Sequence, residues 1–135
     1  MEAVDGMKVV LANGVFDLLH IGHVWHLEAA RKLGDVLWVS VTDDAHVRRQ
    51  RRKLVYPQEH RTALVKSLRC VDKAITVSSL IEAIDFVKPN ILVKGIDYRD
   101  GLDDLHTKYC RDRGIEIVFT DTPKYSARQM IEAAQ

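Results

Sequence analysis

The stretch Gly14-Val15-Phe16-Asp17-Leu18-Leu19-His20-Ile21-Gly22-His23 decides how the rest of the chain is read. Before it lies an apolar run, Val9-Val10-Leu11-Ala12, long enough for a buried strand. After it, Val24, Leu27, Ala30 and Leu33 recur at helical spacing. The stretch is therefore a strand-to-helix loop that places two histidines at the first turn of a helix. Helix N-termini present unpaired backbone N–H groups and the positive end of a dipole, which suit phosphate. Gly14 would let the backbone approach a ligand closely, and Gly22 removes a side chain between the two imidazoles. His20 and His23 are three apart, so both rings project from one face. His26 continues that spacing and raises a zinc site as an alternative. However, the three histidines sweep around the helix and neither cysteine is near in sequence, whereas zinc sites favour tighter Cys/His clusters.

Composition bounds the rest. With 135 residues and a hydrophobic share of 47%, one domain spanning residues 1–135 can build a core without disulfides or metal. A net charge of +1 does not describe a general polyanion binder. Two cysteines, Cys70 and Cys110, are too few for a disulfide framework and suit a reducing compartment. No apolar run approaches the ~20 residues of a membrane span, and the N-terminus lacks the basic-then-apolar pattern of a signal peptide. A soluble, cytoplasmic protein is the expectation.

Strands and helices alternate along the chain. Strand one covers about Lys8 to Asn13, and helix one about Ile21 to Leu33, stopping at Gly34. Val36 to Val41 is continuous and apolar, as in a strand buried on both faces. A polar, basic stretch from Asp43 to Tyr56 leads to Pro57 and a second main helix carrying Leu64, Val65 and Leu68. Lys73 to Val77 is strand three, followed by a helix capped by Ser78 or Ser79 and ended by Pro89-Asn90. Strand four, Ile91 to Lys94, is broken by Gly95. A polar helix from about Leu102 to Arg113 closes at Gly114, Ile115 to Phe119 is strand five, and Ser126 caps a final helix. Such alternation implies an α/β fold with a parallel five-stranded sheet, right-handed crossovers, and ligand sites beyond the carboxyl ends of the strands. There is no GxGxxG segment.

Gly14 to His23 resembles the signature of the small HxGH nucleotidylyltransferases. That group includes glycerol-3-phosphate cytidylyltransferase and the adenylyltransferase domain of ADP-heptose synthase. The resemblance covers about Lys8 to Ile131 and implies a Rossmann-like, doubly wound single domain. It implies that Gly14, Val15, Phe16, His20 and His23 contact the nucleotide, with both histidines catalytic. Glu59-His60-Arg61 and Leu68-Arg69-Cys70-Val71-Asp72 are similar to two further family segments, "E-H-R" and "R-Y-V-D". By the same resemblance Arg61 and Arg69, together with Asp17, serve the acceptor or the fold around it. Val93-Lys94-Gly95-Ile96-Asp97-Tyr98 looks like the "V-K-G-G-D-Y" of the ADP-heptose synthase group, with Ile96 replacing the second glycine. Lys94, Gly95 and Asp97 are its nucleotide-site candidates. Ser126-Ala127-Arg128 sits where the family has "S-T-T", so Ser126 keeps its register and Arg128 could supply charge to the triphosphate.

The basic run Arg48-Arg49-Gln50-Arg51-Arg52-Lys53 has three readings: a mobile loop that folds over a triphosphate, a solvated charge run, or a nucleic-acid patch. The resemblance favours the first. The family carries a catalytic lysine there; this chain has Arg48 and Arg49, and Arg49 is the candidate. No aromatic residue interleaves the run, so nucleic acid is not the expected partner.

The implied reaction is attack by a phosphate-monoester oxygen on the α-phosphorus of an NTP, with release of pyrophosphate. Mg²⁺ is expected with the triphosphate, held through substrate oxygens and water and not by a protein ligand. The expected partners are an NTP and a small phosphate monoester, with no membrane and, as in relatives, a homodimer. ATP with a heptose 1-phosphate is the first choice of substrates. CTP with glycerol 3-phosphate is the alternative, and a non-catalytic nucleotide-binding module is the alternative from another class.

Overall fold

The central strands owe their burial to continuous apolar runs, Val9 to Ala12, Val36 to Val39 and Ile91 to Val93. In the computed structural model, which describes residues 6–50, 53–95, 103–122 and 132–134, β1 (Val9–Gly14) and β2 (Val36–Thr42) pair in parallel with Val10 opposite Leu37. On its other side β1 pairs with β4 (Ile91–Gly95), Val10 opposite Ile91. β3 (Lys73–Val77) lies outside β2, and β5 (Glu116–Thr120) outside β4. The five-stranded sheet thus runs in the order β3-β2-β1-β4-β5, parallel throughout. After β3 the chain crosses to the far side of β1. The reversal opens a crevice at the carboxyl ends of β1 and β4, the position where parallel α/β sheets bind ligands.

Alternation along the strands divides the core in two. Val10, Ala12, Leu37, Val39, Val41, Ile91 and Val93 face Leu27 and Ala30 of α1 (Ile21–Arg31) and Val65 of α3 (Gln58–Lys66). Val9, Leu11, Trp38, Val77 and Leu92 face Leu80, Ala83, Ile84 and Val87 of α4 (Leu80–Val87) and Cys110 of α5 (Asp104–Asp112). Helices therefore cover both faces, and the doubly wound, Rossmann-like architecture follows from the period of 2 in the strands. Ser79 is the α4 cap: its Oγ accepts the Glu82 N–H at 3.1 Å.

Several boundaries differ from the sequence reading. α1 stops at Arg31, before Gly34, whose role is close packing: a Cβ there would lie 2.7 Å from the Lys8 carbonyl oxygen. α3 ends at Lys66, so Leu68 packs against the core from the following turn. Gly95 does not break strand four but ends it, paired with Thr120. The stretch after β2 contains a helix that the sequence reading treated as loop, α2 (Asp44–Arg49). Asp43 caps it, Oδ1 accepting the His46 N–H at 2.8 Å, and Val47, fully buried, pins it to the core. Arg48 and Arg49 belong to this anchored helix. The expected final helix from Ser126 lies largely outside the described residues. No helix among the described residues is long and apolar enough to cross a membrane.

Candidate active site

The β1–α1 loop assembles the crevice. Phe16 adopts a left-handed backbone, φ 51°, which costs a non-glycine residue about 1–2 kcal/mol. Its ring is buried, fits over Gly14 and meets the His23 ring edge-on, centroids 5.6 Å apart. A Cβ on Gly14 would stand 2.8 Å from the Phe16 ring. Gly14 is therefore a seat for Phe16, which in turn backs His23.

His20 is the N-cap of α1, with extended backbone. Its Nδ1 accepts the Gly22 N–H at 3.1 Å, and its own N–H donates to His23 Nδ1 at 3.2 Å. This reciprocal cap satisfies two backbone donors at the helix start. It also fixes both tautomers, because an Nδ1 that accepts leaves the proton of a neutral ring on Nε2. Burial, followed by the charge that His20 and His26 would carry, lowers His23 to a pKa of about 4. Burial also lowers His20. At neutral pH both rings are neutral, their centroids 4.0 Å apart, each with an Nε2–H donor. Such a pair stabilises negative charge on oxygen by donation.

A cleft of about 630 Å³ gathers Gly14, Val15, Phe16, Asp17, His20, His23, Lys94 and Gly95, all expected at a site. Burial lowers the Lys94 pKa, and no other lysine or arginine lines the cleft among the described residues. Asp17 lines it too, but its carboxylate is engaged: Oδ2 accepts the Val55 N–H at 2.7 Å and Oδ1 the Tyr56 N–H at 2.8 Å. It ties down the segment after the basic run.

Three expected site residues have other places. Arg61 is fully buried and does not reach the cleft. Its Nη1 donates to the carbonyl oxygens of Val15 (2.8 Å) and Thr42 (2.7 Å), its Nε to Tyr56 (3.0 Å), and its Nη2 to the Asp44 carboxylate at 2.6 Å. An always-charged planar donor can join four acceptors in this way, and Arg61 thereby locks the signature loop to the β2–α2 corner. Of the two roles expected, the acceptor or the fold around it, these bonds are those of the second. Arg69 is exposed in the turn before β3, at the amino-terminal edge of the sheet, opposite the cleft. That end is braced by Asp72, whose Oδ2 accepts from Leu37 N–H (2.8 Å) and Arg31 Nε (3.0 Å). Arg49 is exposed on α2 and does not line the cleft; its guanidinium lies 3.4 Å from His46 Nδ1. Asp97, Ser126 and Arg128 lie outside the described residues.

The cleft also holds residues that the sequence reading passed over. Of the six histidines in the chain, His46 and His106 line it along with His20, His23 and His26. Thr42, Gln50 and Ser79 join them. The Asp43/His46 cap spacing was the available signal for α2, and with it for the i, i+4 pair His46 and Gln50. His26 pairs its Nδ1 with Thr120 Oγ1 at 2.6 Å. No group of three or more His, Cys, Asp or Glu side chains among the described residues is arranged to hold a metal.

A doubly wound parallel sheet whose switch-point crevice carries two reciprocally capped, neutral histidines defines a Rossmann-like α/β protein. The comparison with known sequences agrees: the chain belongs to the cytidylyltransferase-like family, whose model matches residues 11–131. It is 44% identical over 103 residues to the bifunctional protein HldE of Syntrophotalea carbinolica, covering 73% of this chain and 21% of that protein. The chain thus spans about a fifth of the length of the HldE proteins it matches. It is 39% identical over 124 residues to the FAD synthase of Methanocella arvoryzae, covering 89% of this chain and 87% of the other. Among solved structures, the lipopolysaccharide core biosynthesis protein from Thermoplasma volcanium superposes with a TM-score of 0.77 at 33% identity. That match covers 88% of this chain and all of the other.

Proposed function

We propose that this chain transfers AMP from ATP to the phosphate of a heptose-like sugar 1-phosphate, releasing pyrophosphate. The observation that carries the reaction class is the His20–His23 pair, two Nε2–H donors held at a helix N-terminus in the switch-point cleft. In the reaction an acceptor phosphate oxygen forms a bond to the α-phosphorus while the bond to the β-phosphate bridging oxygen breaks, and the electron pair leaves with pyrophosphate. The nucleophile is already an anion, since the second pKa of a phosphate monoester is roughly 6, so no general base is needed. His20 and His23 donate to the charge that grows on the phosphates, and Lys94 adds a cation. Mg²⁺, arriving with the triphosphate, supplies charge neutralisation. The only cleft carboxylate among the described residues, Asp17, is committed to two backbone N–H groups, which fits a cation held by phosphate oxygens and water. Ser126 and Arg128 are assigned to the β- and γ-phosphates and Asp97 to the nucleotide, on the family resemblance.

The "V-K-G" register of Val93-Lys94-Gly95 and the HldE relatives support the sugar acceptor. A second reading, adenylyl transfer to a flavin phosphate, is favoured by FAD synthases that match over most of both chains. CTP with glycerol 3-phosphate loses an argument, because Arg61 of the Glu59-His60-Arg61 segment is fully buried and bonded to four protein acceptors. The test is pyrophosphate release with ATP or CTP, Mg²⁺, and heptose 1-phosphate, FMN or glycerol 3-phosphate. ATP with the sugar phosphate should give the highest kcat/KM. A preference of more than ~10-fold for CTP, about 1.4 kcal/mol of transition-state discrimination, would overturn the ordering.

A further inference from the structure

We infer that His46 and Gln50 of the α2 segment read the hydroxyl groups of the acceptor and make this site selective for a polyhydroxylated phosphate ester. The inference rests on the transfer reaction proposed above and assigns the half of the cleft that the reaction leaves open. In-line displacement requires the attacking and leaving oxygens on opposite sides of the α-phosphorus. The cleft has two halves about the His20–His23 pair. The half over β4 and β5 holds Lys94 and Gly95, assigned to the nucleotide on the family resemblance. The acceptor must then enter over β2 and β3. Among the described residues that half presents Thr42, His46, Gln50 and Ser79 beside the single apolar Leu80, and no lysine or arginine. Neutral donors and acceptors in such density match hydroxyl groups, each of which both donates and accepts.

The geometry makes His46 a prepared donor. Arg49 can only donate, so its approach to His46 Nδ1 at 3.4 Å makes that nitrogen the acceptor and leaves Nε2 as the ring nitrogen that donates. His46 and Gln50 are four residues apart, on one side of the helical turn, and Val47 between them is fully buried. The Asp44–Arg61 ion pair carries this segment on the same guanidinium that holds the Val15 carbonyl, so α2 is fixed relative to the catalytic loop.

The test is steady-state kinetics of wild type, His46→Ala, His46→Gln and Gln50→Ala with ATP, Mg²⁺ and a panel of hexose and heptose 1-phosphates. Inorganic phosphate serves as a competitor for the acceptor. His46→Ala should raise the acceptor KM about 10-fold, as loss of a hydrogen bond to a neutral group does. The ATP KM should stay within twofold and kcat within about threefold of wild type. His46→Gln, which keeps a donor, should recover most of the loss, and Gln50→Ala should act in the same direction. The inhibition constant of inorganic phosphate should not move, because it lacks the hydroxyl groups. A raised ATP KM with an unchanged acceptor KM would put α2 on the nucleotide and overturn the inference. A phosphate inhibition constant raised in parallel would make His46 a phosphate ligand, and no change in any parameter would remove it from the site; either result overturns the inference. A wild type inactive on every phosphate monoester would instead overturn the transfer reaction, and this inference with it.

Discussion

Replacing Arg61 by methionine separates a structural role from a substrate-binding one. The guanidinium is fully buried and its donors reach three backbone carbonyls and the Asp44 carboxylate. Methionine fills much of the same volume but supplies no donor. Removing one partner of a buried ion pair typically costs about 3–5 kcal/mol, because the remaining charge is left unpaired. Asp44 retains 17% side-chain exposure, so water can hydrate it in part, which points to the lower end. The expected loss is about 3 kcal/mol, or roughly 10 °C in Tm for a chain of this size. Because domains have a stability of about 5–15 kcal/mol, the variant should remain folded at 25 °C. The assay is thermal and urea unfolding followed by circular dichroism, alongside acceptor kinetics at 25 °C. A Tm within 2 °C of wild type, with a large rise in acceptor KM, would refute the reasoning and return Arg61 to the substrate.

Three further outcomes are expected. His20→Ala and His23→Ala should each lower kcat at least ~100-fold, as loss of a preorganised donor to transition-state charge does; wild-type turnover in either would remove the pair from the mechanism. Between pH 6.5 and about 4 the unfolded chain holds a proton on His23 that the native chain lacks, so stability should fall as pH drops through that window. The part-exposed ring limits this contribution to about 1 kcal/mol, and His23→Asn should flatten the pH dependence of urea unfolding there; an identical slope in the variant would count against it. Gly14→Ala should displace the Phe16 ring and cost about 1–3 kcal/mol, with a fall in kcat as His23 loses its backing; unchanged unfolding and turnover would show that Phe16 is not seated there.

The fold was largely legible because its signals are local and periodic. Val9 to Ala12 and Val36 to Val41 read as strands buried on both faces, and the sheet buries them so. The His20/His23 pair was legible because a three-residue spacing at a helix start permits one arrangement of the rings. Arg61 was left between the acceptor and the fold around it because spacing does not report burial. An arginine on an amphipathic helix reads as a surface charge or a ligand until the carbonyls of Val15 and Thr42, distant in sequence, are seen to converge on it. Arg69 was read on one helix with Arg61, whereas α3 ends at Lys66 and Arg69 lies in the turn before β3, at the amino-terminal edge of the sheet. α2 escaped because its single buried anchor, Val47, gives no periodicity over six residues. The cleft positions of His46, Gln50 and His106 are products of that tertiary placement.

The measurement closest to the central claim is ³¹P NMR of the protein with ATP, Mg²⁺ and a heptose 1-phosphate, run beside the His20→Ala variant. The account predicts pyrophosphate and a new asymmetric diphosphate in equal amounts, with the variant at least ~100-fold slower. Formation of ADP or inorganic phosphate without pyrophosphate, or equal rates in both proteins, would contradict it.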